Sequence, residues 1–476
     1  MKVRALMWTL MLISVATFPL SAQQPKALHR SPLDDYIHKA DPVYGWEVIK
    51  SIDGEAVKTT IIKLRSQSWR NEKEVNRTVW EHAVVISKPK KLTSKTAFLM
   101  IGGGSNERPM PDKADVMTSM IAASTGSIVV ELKMVPNQPL IFNNDGVKRV
   151  EDDLLGYGWA KFLETGDATW VGRLPMVKSA VRCMDCIQEW AQKEGTPVEK
   201  FVVAGGSKRG WTTWLTGATD PRVEAIVPIV IDVLNSAESI KHHGEAYGFW
   251  AMAIGNYYQH NILQRQDHPR MQDLYKIEDP LSYKDRLTLP KYVVNAAGDQ
   301  FFLPDSSQFY YDELKGEKLL RYVANADHGL KDSDALQSIT AYHHMVINGK
   351  PRPEYSWTFE QDGSIKVKYK TPPSKVVLWQ ATNANTRDFR VDTIGKAYTS
   401  TELKQEADGS FVGKITPPEK GWTAFFVELT YDVGAPFPLK VTTSVRVLPD
   451  VLPHKGADLN KMKYEGEVFP EKMKKR

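Results

Sequence analysis

The chain has 476 residues, long enough for two domains or for one large domain with additions. Its 42% hydrophobic and 25% charged residues are ordinary globular values, which excludes a disordered chain. The net charge of +5 comes from acids and bases interspersed along the sequence, so no segment of the bulk reads as a nucleic-acid or membrane surface.

The first element is a leader. Lys2 and Arg4 precede an apolar run at 5–20, followed by Ser21-Ala22-Gln23-Gln24. A charged start, an apolar middle and a small residue at the cleavage point make residues 1–22 a signal peptide. The run is too short to span a bilayer comfortably, Pro19 interrupts it, and no later stretch is long and apolar enough. The expected mature chain is therefore exported, secreted or periplasmic, with no membrane span.

Residues 31–41 read as an irregular or short helical lead-in. Spans 47–64 and 80–88 alternate apolar and polar residues as half-buried strands do. Asn76-Arg77-Thr78 between them is a glycosylation sequon, meaningful only in a eukaryotic source. Short, strongly apolar runs follow at 96–101, 127–132, 201–204, 225–231, 292–297 and 319–323. Helical periodicity fills 116–124, 176–193, 208–219 and 333–347 between them. Continuous apolar strands alternating with helices predict a mostly parallel, doubly wound α/β sheet covered on both faces. The only two cysteines, Cys183 and Cys186, sit on the 176–193 helix, with Cys183 on its apolar stripe. They read as structural thiols, not as a redox pair at a helix start.

The alternation breaks at 235–290, which is too long for a crossover and crowded with aromatics. This stretch reads as a helical cap insertion, and His242, His243, Trp250 and Tyr257 are its candidates for lining a substrate pocket. Near residue 370 the character changes again. Thr371-Pro-Pro373 reads as a linker, and short strands are expected at 376–381, 388–391, 410–415, 424–431 and 439–448. The expected organisation is thus an α/β domain at 23–370, a β-sandwich at 371–453 packed against it, and a basic tail at 454–476. The closing Glu471-Lys-Met-Lys-Lys-Arg476 reads as solvated.

The chemistry is concentrated at Phe201-Val-Val-Ala-Gly-Gly-Ser-Lys-Arg-Gly210. A strand, a glycine-flanked serine and an immediate helix form a nucleophile elbow, the signature of an α/β-hydrolase. Ser207 is the expected nucleophile, although Arg209 stands where the commonest version has Gly. An activated serine needs a base held by a third group, and this fold places acid then base downstream. Strands ending in Gly298-Asp299 and His328-Gly329 supply both, so Asp299 is the expected acid and His328 the base. Asp305 and Asp327 are alternative acids. Oxyanion donors are expected from the backbone of Lys208 and from Gly103 and Gly104 in the Gly102-Gly-Gly-Ser105 loop. No metal-ligand spacing and no cofactor motif appears. The acidic run Glu151-Asp-Asp153 reads as a helix start, its charges at the positive end of the dipole.

These segments resemble the PhoPQ-activated pathogenicity-related family. The resemblance extends through Ser66-Gln-Ser-Trp69 with Trp80-Glu-His82, Val135-Pro-Asn-Gln-Pro139, Leu174-Pro-Met-Val-Lys178, Gly298-Asp-Gln-Phe-Phe-Leu-Pro-Asp305, Asp388-Phe-Arg390 and Gly421-Trp-Thr-Ala-Phe-Phe426. It implies a serine-hydrolase core with a C-terminal β domain and carries Ser207, Asp299 and His328 as triad positions. It does not imply a substrate. The expected function is hydrolysis of an ester or peptide bond in a small-molecule or peptide substrate. The alternative is a secreted binding or signalling protein on a hydrolase scaffold without catalysis.

Overall fold

Val/Ile-rich runs build nine strands in the computed structural model, which describes residues 30–470. The leader at 1–22 and the basic run 471–476 lie outside the described residues. The strands are β1 (Gly45–Asp53), β2 (Val57–Ser68), β3 (Val79–Pro89), β4 (Thr96–Ile101), β5 (Val129–Leu132), β6 (Lys200–Gly206), β7 (Val223–Ile229), β8 (Lys291–Ala296) and β9 (Lys318–Val323). They form one sheet in the order β1-β2-β3-β5-β4-β6-β7-β8-β9. β3 and most of β2, expected to be half-buried, are covered on both faces, and β1 is largely exposed. The β1–β3 meander is antiparallel, β3 also runs against β5, and every pairing beyond β5 is parallel. Neighbouring residues serve opposite faces: Val203 packs in one core with Leu99 and Val130, Val202 in the other with Phe98 and Val129. Helices Arg173–Lys193 and Lys208–Thr219 cover the first face, and Val116–Thr125 and Ala335–Ile347 contribute to the second. Cys183 and Cys186 are free and buried, and burial raises both thiols above their ordinary range.

Between β7 and β8 the chain forms helices Ser236–Tyr247, Gly255–Gln259 and Met271–Glu278, with 3-10 turns between them. Of the aromatics that mark this stretch in the sequence, Tyr247, Trp250, Tyr275 and Tyr283 are buried, Trp250 fully.

The C-terminal region is two packed antiparallel sheets. One joins β10 (Tyr355–Phe359), β11 (Ile365–Tyr369) and β14 (Phe411–Gly413). The other joins β12 (Lys375–Asn383), β13 (Thr399–Glu402), β15 (Trp422–Tyr431), β16 (Leu439–Thr442) and β17 (Arg446–Leu448). They meet so closely that a Cβ on Gly413 would sit 2.7 Å from Val427 and 3.0 Å from Leu378. Three expectations need correction. Residues 355–369, read from sequence as the end of the hydrolase domain, pair through β11 with β14, so Thr371-Pro-Pro373 turns between sheets and links no domains. Residues 388–391 form no strand, because their charges are spent on buried ion pairs and a one-turn helix begins at Val391. The expected strand at 439–448 divides into β16 and β17.

Phe389, Phe425 and Phe426 are buried in cores shared with the main sheet. At its free edge, β9 is covered by the second sheet: Tyr322 N donates to Thr442 Oγ1 at 2.9 Å. The tail also departs from expectation, since residues 454–470 strap the cap. His454 N donates to Glu245 O (2.9 Å), Trp250 N to Lys463 O (2.9 Å) and Glu465 N to Trp250 O (2.8 Å). Buried Arg390 reaches Glu465 at 2.8 Å, and Tyr464 stacks on Tyr258. Apolar and aromatic anchors in the strap outweigh its lysines.

Candidate active site

Ser207 follows β6 and caps the helix Lys208–Thr219 with φ 57° and ψ −127°, a left-handed conformation costly for a non-glycine residue. The turn is tolerated because its neighbours lack side chains. A Cβ on Gly205 would meet Arg209 O at 2.6 Å, and one on Gly210 would meet the carbonyls of Gly205 and Ile229, both at 2.8 Å. Ser207 N is anchored on Ile229 O at 2.8 Å.

Asp299 lies in the turn after β8 and His328 in the turn after β9. Nδ1 of His328 is 2.9 and 2.8 Å from the two Asp299 carboxylate oxygens. Asp299 is 3% exposed, which removes water as a competitor for that bond, and Phe301 N donates to its Oδ1 at 2.8 Å. Gln300 Oε1 receives His328 N at 3.0 Å, and Phe301 packs on the imidazole with ring centres 4.2 Å apart. His328 Nε2 is buried without a hydrogen-bond partner, and among the described residues no bond joins it to Ser207 Oγ. Asp305 is elsewhere: it pairs with His242 Nε2 (2.9 Å) and Arg387 Nη2 (2.5 Å). Burial would raise its carboxyl, but the His242 and Arg387 contacts hold it well below the usual range.

An apolar cavity of about 90 Å³ adjoins Ser207, walled by Trp211, Trp250, Tyr257, Phe301 and Phe302. Of the cap residues expected to line it, His243, Trp250 and Tyr257 do. His242 does not, being committed to Asp305. Burial, with Arg390 and His242 nearby, pushes His243 down to about 3, so it is neutral.

The Gly102-Gly-Gly loop after β4 is held from the elbow itself. A Cβ on Gly103 would lie 2.7 Å from Arg209 Nη2, and Gly104 has φ +131°. Arg209 Nε donates to Val135 O and its Nη2 to Glu151 Oε1, both at 2.6 Å. Gln138 Nε2 joins Gly104 O (2.8 Å) to the same carboxylate (2.6 Å). Lys208 Nζ adds bonds to Glu151 (3.0 Å) and Asp152 (3.1 Å). Burial would raise Glu151, but Arg209, Lys208 and Gln138 bring it down to about 2. The acidic run does open a helix, Glu151–Thr165, and it also clamps the elbow to the glycine loop.

Two further groups line the cavity that the sequence reading missed. Arg173, fully buried, donates to Lys208 O at 2.8 Å and faces Glu278 at 3.6 Å. Asp232 accepts from Tyr310 (2.7 Å) and Tyr322 (2.6 Å). Asp232 carried the same signal as Asp299 and His328, since it follows the carboxyl end of a strand, β7.

This strand order, with a left-handed serine between β6 and its helix, defines an α/β-hydrolase fold. Within that class the chain belongs to the PhoPQ-activated pathogenicity-related protein family, whose model matches residues 33–390. It is 39% identical over 456 residues to autocrine proliferation repressor protein A of Dictyostelium discoideum, covering 90% of this chain and 92% of that one. Among solved structures it is similar to acetyl xylan esterase 1 from Thermoanaerobacterium sp. JW/SL YS485, with TM-score 0.45 and 15% identity over 66% of this chain and 90% of that one. It is similar also to an S-formylglutathione hydrolase from Agrobacterium tumefaciens, with TM-score 0.41 and 13% identity over 63% and 99%. Likeness at these scores carries nothing about substrate.

Proposed function

We propose that this chain is an exported serine hydrolase that cleaves an ester or amide bond. Ser207 Oγ attacks the carbonyl, and His328 Nε2 takes its proton and passes it to the leaving group. Asp299 orients the imidazole, and water then releases the acyl group by the reverse sequence. The backbone N–H groups of Lys208 and of Gly103 or Gly104 receive the oxyanion. The observation carrying this reading is the pairing of His328 with a nearly inaccessible Asp299 on the same sheet edge as a strained Ser207. The leader at 1–22 supports export.

One observation favours a second reading, a binding protein on a hydrolase scaffold: Ser207 and His328 share no hydrogen bond. Such bonds are often long before substrate binds, so the hydrolase reading stands ahead. A fluorophosphonate probe decides between them. Labelling of the mature chain, abolished in Ser207→Ala and matched by loss of short-chain esterase activity, is the expected result. A folded chain that is never labelled overturns the proposal.

A further inference from the structure

We infer that the cavity beside Ser207 takes an acyl group carrying a protonated amine, with Asp232 as its counter-ion. This rests on the hydrolase reading for the word acyl, but not for the amine.

The charges around the cavity do not balance in pairs. Lys208 is matched by Glu151 and Asp152, and Arg173 by Glu278. His243 is neutral, as described above. Asp232 is the lining acid left over. It is 3% exposed, and among the described residues its two oxygens accept only from the uncharged hydroxyls of Tyr310 and Tyr322. The other carboxylates near it, Asp299 and Asp305, are already taken by His328 and by His242 with Arg387. An acid walled off from water without a cation is held toward its neutral form. Burial, opposed by the two tyrosine bonds and reinforced by Asp299 and Asp305, pushes this carboxyl up to about 8. A cation entering the cavity supplies what the protein withholds.

The walls suit the same guest. Trp250, Tyr257, Phe301 and Phe302 present aromatic surface around the space, and ring faces attract ammonium groups. Asp232 and Ser207 line the same cavity, so the ammonium and the scissile carbonyl lie within one guest. Esters or amides of amino acids meet that requirement. The reaction remains acyl transfer to water, with no further reactant.

Binding tests the amine without turnover. In the full-length mature Ser207→Ala chain at pH 7, calorimetry compares alaninamide with propionamide, which differ by the ammonium. Alaninamide is expected to bind at least about tenfold tighter, with proton release visible as buffer-dependent heat. Adding Asp232→Asn brings the affinity ratio to about one. Equal affinities, or no alaninamide binding at millimolar concentration, overturn the inference. On the active chain, naphthyl esters of alanine and propionate give a second measure. A Ser207-dependent preference for propionate refutes the amine inference and leaves the hydrolase reading intact. Absence of fluorophosphonate labelling refutes the hydrolase reading, while the binding ratio still decides the amine.

Discussion

Gly103 and Arg209 are in direct apposition: the glycine leaves the space that the guanidinium fills, with 2.7 Å between the missing Cβ and Nη2. The arginine at the position usually kept small is therefore a clamp, fixing the loop after β4 relative to the elbow. Gly103→Ala forces the two apart. We predict a fall in kcat of about tenfold to a hundredfold with KM little moved, since misplaced oxyanion donors act on the transition state. Arg209→Lys is expected to fall similarly, because an ammonium lacks the planar fork that meets Val135 O and Glu151 together. Steady-state kinetics on a chromogenic ester checks both, and a changed KM at constant kcat contradicts the clamp.

The elbow gives a sharper pair. Ser207→Ala should lower kcat by roughly a million-fold if serine and histidine act as one unit, with unfolding unaltered. Gly210→Ala should instead cost about 3 kcal/mol of stability, because the added methyl meets two backbone carbonyls that no rotamer can move. Urea titration separates these outcomes.

Asp232 predicts a pH signature. Its folded carboxyl is raised to about 8, above the ordinary value near ~4 that it takes in the unfolded chain. Between those values the folded state holds a proton that the unfolded state has lost, so this contribution to stability falls as pH rises through the window. The depressed groups Asp305 and Glu151 act the other way and only in acid, below the ordinary carboxylate range. Buried His82, His243 and His343, held neutral in the fold, give the opposite slope below the ordinary histidine range and do so in both chains. The wild-type urea midpoint measured relative to that of Asp232→Asn should therefore fall from pH 5 to 9. Parallel profiles argue that the carboxyl is ionised throughout.

Ending the chain after Lys370 removes β14 from its pairing with β11 and uncovers the β9 edge at Tyr322. We expect insoluble or inactive protein. Glu465→Ala is a milder probe: it leaves Arg390 buried with Asp388 alone and should cost about 3 kcal/mol. A soluble, monomeric, fully active truncation contradicts the packed arrangement.

The sheet, the elbow and the Asp299–His328 pair were legible because each rests on a local pattern: an apolar strand ended by glycine with a chemically able residue next to it. Long-range choices were not. His242 and His243 are adjacent on one helix, and only the folded neighbours decide that one meets Asp305 while the other meets the cavity. Glu151 looked like helix-end chemistry because that reading is correct as far as it goes; its bond to Arg209 spans 58 residues. The strap misled by composition. Its lysines are conspicuous, while its anchors are scattered singly: Met462 packs with Trp250, Tyr464 stacks on Tyr258 and Phe469 meets Phe249 edge-on.

The strap has a consequence for biosynthesis. Trp250, a wall of the cavity, takes its backbone partners from Lys463 and Glu465, more than two hundred residues downstream. While a growing chain still holds those residues inside the ribosome, the wall lacks the hydrogen bonds that seat it. The cavity is therefore assembled only after residues 463–465 have been made, well after the strands that carry Ser207, Asp299 and His328.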